Sequence, residues 1–142
     1  MTTIAYRDGV LAGDTQVSGG IKTYSPKVFT TKGGQLVGGA GDLVSVLVFV
    51  DWVGRPKSER PDLSHDDDFE ALVISPDGGV EWWDNTLRPV PVPEPFYAIG
   101  SGELAAMGAM ERGASAEEAV EAGIKWDSQS GGTVVAVRLK SK

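Results

Sequence analysis

The chain of 142 residues contains no cysteine and only one histidine, His65. Without cysteine, disulfide frameworks, thiolate nucleophiles and thiolate zinc sites are excluded. His65 stands in the acidic run Ser64-His65-Asp66-Asp67-Asp68, a pattern typical of a solvated loop. A single imidazole cannot form a multi-histidine metal site, and in this run it is badly placed for a Ser/His/Asp triad.

Basic residues and long apolar runs are also scarce. Lys and Arg number 13 against 20 Asp and Glu, which gives a formal net charge of −7. The basic residues are scattered, so the sequence predicts no nucleic-acid partner. The longest apolar run, Leu43 to Val50, is much shorter than the roughly 20 residues of a membrane-spanning helix. The first residues lack the basic stretch and apolar block of a secretory signal, so we expect a cytoplasmic protein without a membrane partner.

The size and composition predict one soluble domain over residues 1–142, with 41% hydrophobic residues. A domain near this size buries roughly 70% of the surface that its unfolded chain exposes, so it needs no disulfide or structural metal to fold. The sequence shows no internal repeat and no linker between two domains.

Turn signals predict three hairpins in the first 84 residues. Asp8-Gly9 and Gly33-Gly34 are tight-turn pairs, and residues 76–79 form a Pro-Asp-Gly-Gly turn. The predicted strands cover residues 3–7, 10–14, 27–31, 35–39, 69–75, 80–83, 96–99 and 133–139. Residues 16–26 and 54–68 are predicted to be loops. Four prolines between residues 85 and 95 predict an extended connector without a regular ladder.

Three helices are expected, over residues 43–53, 103–112 and 115–125. The first is an apolar run too long for an ordinary strand and follows Asp42, a residue suited to an N-cap, although its valines favour a strand. Ser115 and Glu118 form a capping box for the third. Grouped strands and helices predict an α+β fold in which antiparallel sheets pack face to face beneath outer helices.

One nucleophile remains that needs neither histidine nor cysteine. A hydroxyl can be activated by an adjacent amine, and an N-terminal threonine carries both groups. Thr2 has this arrangement once Met1 is removed, and its α-amine has an ordinary pKa near ~8, suited to accepting and returning a proton. Methionine aminopeptidases tolerate such a small second residue. The alternative is that Met1 is retained and Thr2 is an ordinary strand residue.

Six short blocks extend this idea along the chain: Met1-Thr2-Thr3-Ile4, Ala12-Gly13-Asp14, Lys27-Val28, Gly39-Ala40-Gly41, Ala98-Ile99-Gly100-Ser101-Gly102 and Asp127-Ser128-Gln129-Ser130-Gly131-Gly132. In this order they resemble the HslV peptidase family and, more broadly, proteasome β subunits. The resemblance implies an N-terminal nucleophile hydrolase with a four-layer αββα sandwich. It also implies a threonine-type endopeptidase that cleaves polypeptides without a metal or organic cofactor, in a homo-oligomeric ring served by an AAA+ ATPase unfoldase.

The resemblance carries roles over to individual positions. Thr2 matches the nucleophile, and Asp14 and Lys27 match the charged pair beside it. Gly41 matches the glycine whose amide faces the oxyanion, and Gly39 borders the pocket for the side chain that precedes the scissile bond. The residues expected to surround the α-amine and its water are Ser101, Asp127 and Ser130.

Structural alternatives exist for each of these roles. The alternative for the charged pair is a salt bridge in a hairpin, and for the two glycines it is turn or bulge geometry before the first helix. The hydroxyl and carboxyl residues around positions 101 and 127–130 suit helix caps and turns.

The sequence departs from the family in length. Members are usually longer by tens of residues and carry a second helix where this chain has a short polar segment after Val53. Two other functions therefore stand beside the peptidase: a catalytically silent, ring-forming subunit, and an N-terminal nucleophile amidase that acts on a small amide. The complete set of Thr2, Asp14 and Lys27 argues against the silent subunit.

Overall fold

The computed structural model describes residues 1–17, 21, 23–55 and 57–140. Within these ranges the chain forms eleven strands and three helices. The strands are β1 (Ile4–Arg7), β2 (Val10–Gly13), β3 (Gln16–Val17), β4 (Thr23–Tyr24), β5 (Val28–Thr30), β6 (Leu36–Ala40), β7 (Glu70–Ile74), β8 (Val80–Asp84), β9 (Val90–Val92), β10 (Phe96–Ile99) and β11 (Val135–Arg138). The helices are α1 (Leu43–Gly54), α2 (Glu103–Glu111) and α3 (Ala116–Trp126).

The first sheet carries the N-terminus. Its antiparallel strands run in the order β10-β1-β2-β11, so β1 is a central strand paired on both sides. The predicted turn at Asp8-Gly9 is confirmed, with both residues at positive φ (51° and 79°), as a two-residue hairpin of this type requires. Thr2 and Thr3 therefore precede a strand that neighbours hold on both sides.

The second sheet has the antiparallel order β5-β6-β7-β8-β9 and contains the other two predicted hairpins. The prediction that residues 85–95 form no regular ladder is wrong, because β9 pairs with β8 and Pro91 lies opposite Glu81. A proline is tolerated here because β9 is an edge strand, which can leave an amide position on its open side unpaired.

Three apolar clusters define four layers. The first fills the space between the two sheets and includes Ile4, Leu11, Leu36 and Leu72. The second packs α2 and α3 against the outer face of the first sheet, and the third packs α1 against the outer face of the second sheet around Phe49. The predicted αββα sandwich is confirmed.

The caps of the helices differ in their detail from the sequence prediction. The capping box of α3 is confirmed, since Ser115 and Glu118 each accept from the other's backbone amide. The predicted N-cap position of Asp42 on α1 is confirmed, although its side chain makes no capping hydrogen bond. The backbone amide of Asp42 donates to Asp66 Oδ2, at 3.0 Å. The N-cap of α2 is Gly102, so Ser101 does not cap that helix.

Two connecting segments complete the fold. The predicted loop over residues 16–26 is partly wrong, because Gln16–Val17 and Thr23–Tyr24 pair as a small ribbon, β3-β4. Such two-residue strands leave no readable hydrophobic alternation. The predicted loop after α1 contains no helix or strand in its described residues, 55 and 57–68. In the part of the chain that the structure describes, no helix is long and apolar enough to cross a membrane.

Candidate active site

Thr2 is buried two residues before the start of β1, beside the turn that follows β10. Its carbonyl oxygen accepts from the Gly102 amide at 3.1 Å, and only 2% of the residue is exposed. Gly100 approaches so closely that a Cβ there would stand 2.3 Å from the Thr2 carbonyl oxygen, and its φ is +95°. Only glycine fits this turn without strain, so residues 100–102 are fixed against the backbone of Thr2.

Asp14 and Lys27 form a buried ion pair beside Thr2. The Lys27 ammonium donates to Asp14 Oδ1 and Oδ2 at 3.0 and 3.1 Å, with 6% and 0% of the two side chains exposed. The amides of Thr3 and Gly131 donate to the same carboxylate, each at 3.0 Å. These donors satisfy the buried anion, which makes its burial tolerable and fixes it in place.

Lys27 also contacts the candidate nucleophile. Its ammonium donates to Thr2 Oγ1 at 3.2 Å and to the Met1 carbonyl oxygen at 2.6 Å. Burial lowers the pKa of Lys27 below its ordinary 10.5, and the Asp14 carboxylate opposes this effect. A charged lysine at this place stabilises negative charge on the hydroxyl oxygen of Thr2.

A chain of hydroxyl groups surrounds the nitrogen of Thr2. The Thr2 amide donates to Ser101 Oγ at 3.1 Å, and Ser101 donates to Asp127 Oδ2 at 2.5 Å. Ser130 donates to the same oxygen at 2.7 Å and shares a 2.7 Å hydrogen bond with Thr3 Oγ1. Since the Ser130 proton is committed to Asp127, Thr3 is the donor in that last bond.

Asp127 is the anion of this network. Partial burial acts to raise its pKa, but hydrogen bonds from Ser101 and Ser130 outweigh that effect and lower it below its ordinary 3.8. The carboxylate thus stays charged at neutral pH and lies two hydrogen bonds away from the nitrogen of Thr2.

Met1 precedes Thr2 and contacts the site. Its ammonium donates to the Gln129 carbonyl oxygen, and the pKa of this amine is lowered first by burial and then by the charge of Lys27. The nitrogen of Thr2 is consequently an amide here, and an amide cannot accept a proton as a general base.

A cavity of about 140 Å³ lies at Thr2, which forms part of its lining. Its lining is formed by residues from the N-terminus, the β3 region, β6 and the start of α1: Met1, Thr2, Gln16, Val17, Lys27, Gly39, Gly41, Asp42, Leu43 and Val46. Both predicted glycines thus lie at the cavity. Gly41 has a φ of +116°, and a Cβ there would stand 3.0 Å from Asp66 Oδ2.

Gly39 does not leave the pocket open at its position. A Cβ at position 39 would stand 2.9 Å from both γ-methyl groups of Val46. The absence of a side chain at this position therefore admits α1, and Val46 forms the wall that a larger residue would otherwise form.

Glu70 belongs to the site region although the sequence analysis did not select it. Its Oε1 accepts from the Trp82 indole at 3.2 Å and its Oε2 accepts from the Gly100 amide at 3.3 Å. One carboxylate therefore connects the second sheet to the turn that fixes Thr2. The sequence signalled no more than a charged residue within the predicted strand 69–75; the structure makes Glu70 the first residue of β7, directly opposite Ala40.

The structure brings together all eight residues that the sequence analysis selected: Thr2, Asp14, Lys27, Gly39, Gly41, Ser101, Asp127 and Ser130. They come from segments more than one hundred residues apart in the chain. Over the described ranges, no group of three or more His, Asp or Glu side chains is placed to hold a metal ion.

The overall structure matches solved structures over almost its whole length. BPH of Thiobacillus denitrificans, in complex with Epoxomicin, superposes with a TM-score of 0.69 at 21% identity, covering 99% of each chain. HslV of Trypanosoma brucei superposes with a TM-score of 0.72 at 15% identity, covering 96% of this chain and 97% of that one. This chain has the HslV fold.

The likeness to HslV lies in the arrangement of the chain more than in its residues. A second structure of T. denitrificans BPH gives a TM-score of 0.67 at 20% identity over 99% of both chains. No protein-family model and no curated protein matches the sequence. The predicted resemblance is therefore confirmed at the level of the HslV fold.

Proposed function

We propose that this chain is a threonine peptidase of the N-terminal nucleophile type, acting once residue 2 is its N-terminus. The observation that carries the proposal is the 3.2 Å contact between the Lys27 ammonium and Thr2 Oγ1. The same ammonium forms an ion pair with Asp14. Burying the Lys27 ammonium beside a neutral hydroxyl costs desolvation free energy. The same ammonium stabilises the oxygen once it becomes negative during attack.

The first half of the reaction forms an ester. The free amine of Thr2 takes the proton of Oγ1, the oxygen attacks the substrate carbonyl, and the Gly41 amide holds the resulting oxyanion. The amine then gives its proton to the leaving nitrogen as the peptide carbon–nitrogen bond breaks. The acyl group remains on Thr2 Oγ1.

The second half consumes water. The same amine removes a proton from a water molecule whose oxygen attacks the ester carbonyl. The bond between the acyl carbon and Thr2 Oγ1 breaks, and the proton returns to that oxygen. Ser101, through its contact with the nitrogen of Thr2, orients the amine, and Asp127 and Ser130 hold Ser101 and the turn around it.

The alternative is a silent subunit, in which Met1 is retained. While Met1 remains, its carbonyl oxygen takes a hydrogen bond from Lys27 and its ammonium binds Gln129, so the site is occupied and the base is missing. Removal of Met1 is what separates an active from an inactive form of the same fold.

The test combines mass with activity. Intact mass of protein purified from cells should show loss of one methionine, and fluorogenic peptides should be hydrolysed. Thr2→Ser should retain activity and Thr2→Ala should lose it by at least about a thousandfold, as for removal of other catalytic nucleophiles. Epoxomicin, the compound in the BPH complex, should inhibit both the unsubstituted chain and the Thr2→Ser variant. Retained Met1 with no hydrolysis would support the silent subunit, and hydrolysis confined to small amides would support the amidase.

Self-association into a ring is part of the same proposal. The side of α1 that faces away from the second sheet leaves Val44, Leu47 and Val48 exposed at 65%, 45% and 39%. An apolar helix face of this kind suits a contact with another copy of the chain. Native mass spectrometry should find a closed oligomer, and a monomer would contradict it. The ATPase partner and the cytoplasmic location remain predictions of the sequence analysis.

A further inference from the structure

The candidate nucleophile and the proposed oxyanion donor are carried by different sheets. Thr2 precedes β1 of the first sheet, whereas Gly41 follows β6 of the second sheet. Attack on a carbonyl requires the two to keep a fixed relative position, because a misplacement of about 1 Å can lower a rate by about a hundredfold. The polar contacts that join the sheets beside Thr2 therefore bear on the reaction. The ion pair of Asp14 and Lys27 is one such contact, and Glu70 forms another.

Glu70 lies between the two halves of the site. It is the first residue of β7 in the second sheet, and its Oε2 accepts from the amide of Gly100, in the turn that follows β10 of the first sheet, at 3.3 Å. In the same segment, the backbone of Phe69 lies against Gly41, where a Cβ would stand 3.0 Å from the Phe69 Cα. Residues 69–70 therefore contact the glycine of the oxyanion site through the backbone and the turn beside Thr2 through a carboxylate.

The turn that Glu70 holds is in turn fixed on Thr2. The Gly102 amide donates to the Thr2 carbonyl oxygen at 3.1 Å, and a Cβ on Gly100 would stand 2.3 Å from that oxygen. Between these two glycines, Ser101 Oγ accepts from the nitrogen of Thr2 at 3.1 Å. A shift of the turn would consequently move the backbone of Thr2 and the partner of its nitrogen together.

The two hydrogen bonds of Glu70 require a carboxylate. Its Oε1 accepts from the Trp82 indole at 3.2 Å, so two N–H donors meet its two oxygens. A carboxylate offers only acceptors, whereas a glutamine amide offers one acceptor and one donor group. No cation in the described part of the chain forms an ion pair with Glu70. The nearby charge is of the same sign: after burial, Glu70 is the second cause that raises the pKa of Glu103. Accepting from the two donors, rather than balancing a cation, is what this carboxylate does.

We propose that Glu70 is a positioning residue, which holds the turn over residues 100–102 through Gly100 and so keeps Thr2 aligned with the Gly41 amide on the other sheet. It acts through the turn and neither takes nor gives the reacting proton. Its effect on the rate rests on the proposed peptidase function, whereas its hold on the turn can be measured without hydrolysis.

The first test replaces the carboxylate by a side chain of the same shape. In Glu70→Gln the amide group must turn an N–H toward one of the two donors, so the side chain is displaced. With chain freed of Met1 and a fluorogenic peptide, we expect kcat to fall about tenfold or more, as for a small misplacement of reacting groups. KM should stay within about threefold, because the residues that line the pocket are unchanged.

The second test asks whether removing one donor restores the rate. In Glu70→Gln/Trp82→Phe the indole N–H is gone, so the glutamine oxygen is free to accept from Gly100. The double variant should recover kcat to within about twofold of Trp82→Phe alone, which is the non-additivity expected of residues in one hydrogen-bond network. Glu70→Leu offers no acceptor and should stay slow in both backgrounds.

A matched control and a structural measurement complete the design. Glu103→Gln removes a neighbouring charge beside the same turn, without removing an acceptor from Gly100, and should leave kcat unchanged. Hydrogen–deuterium exchange, followed by mass spectrometry over residues 97–103, reports the Gly100 amide directly. Exchange there should be faster in Glu70→Gln and return toward that of Trp82→Phe in the double variant. Urea unfolding checks that every variant is folded.

The outcomes separate the two proposals. Hydrolysis by the unsubstituted chain with kcat unchanged in Glu70→Gln, or with a loss that Trp82→Phe does not reverse, overturns the inference and leaves the peptidase standing. If no form hydrolyses peptides, the peptidase is overturned and exchange decides: faster exchange that the double variant reverses supports the hold of Glu70 on the turn. Unchanged exchange without hydrolysis overturns both.

Discussion

Asp14 contacts Lys27 through both of its carboxylate oxygens, at 3.0 and 3.1 Å, although the two residues adjoin strands of different sheets of the sandwich. The same carboxylate accepts from the amide of Gly131, more than one hundred residues away in the chain. The pair is therefore both a support for the fold and the source of charge at Thr2.

Removing the anion of this pair should cost much more than removing a surface carboxylate. We expect Asp14→Asn to lower the free energy of unfolding by about 3–5 kcal/mol, because it leaves a buried ammonium without its counter-charge. Asp51 pairs with Arg55 on the surface, with side chains 62% and 68% exposed, so Asp51→Asn is the matched control and should cost less than about 1 kcal/mol. Urea unfolding of both variants measures this difference, and equal losses would contradict the prediction.

On the alkaline side, the Lys27 contribution to stability should rise with pH while peptide hydrolysis falls. The pKa of Lys27 is lower in the folded chain than its ordinary 10.5, so between these two values the unfolded chain binds more protons. The Lys27 contribution to the free energy of unfolding therefore rises with pH across this window. Peptide hydrolysis should fall over the same window, because the ammonium that stabilises the alkoxide is lost.

The comparison with Lys27→Met isolates this group from other titrations. Unfolding free energies of both proteins are measured from pH 7 upward, and their difference is plotted against pH. The Lys27 contribution should rise with pH. A difference between the two proteins that does not change with pH, or that changes in the opposite sense, would contradict the assignment of the shift to Lys27.

Gly39→Ala should destabilise the chain through contact with α1. The new methyl group would stand 2.9 Å from two carbons of Val46, and overpacking of this kind costs about 1–3 kcal/mol. Val46→Ala should restore part of that loss in the double variant. Gly108→Ala is the control, since a Cβ in that position of α2 has no neighbour within 4 Å, and it should raise stability by about 0.5–1 kcal/mol.

Ser101→Ala should affect activity more than stability. It removes the acceptor for the nitrogen of Thr2, so we expect kcat to fall about tenfold or more and the acidic limb of the pH–rate profile to move, since the amine loses a hydrogen-bond partner. Ser115→Ala removes a serine that caps α3 and should lower the free energy of unfolding by about 1 kcal/mol with no change in kcat. If Ser101→Ala loses stability as Ser115→Ala does and leaves the pH–rate profile unchanged, Ser101 has a structural role only.

Much of the architecture was readable from local patterns. The three hairpins follow from turn pairs such as Asp8-Gly9, and the third helix follows from Ser115 and Glu118, because turns and caps are made by residues close together in the chain. The edge strand at Val90–Val92 was not predicted, since whether a proline segment joins a ladder depends on the strand it meets.

The sequence by itself determined the hairpins, the helices and, through six short blocks, which residues to examine for chemistry. Only the tertiary structure decided that Val46 fills the space at Gly39, that Glu70 reaches Gly100 and that Asp66 meets Gly41. These contacts join residues that are distant in the chain, so no periodicity or turn signal records them. They are set by how two sheets and three helices pack, and that packing gives the site its walls and its charge.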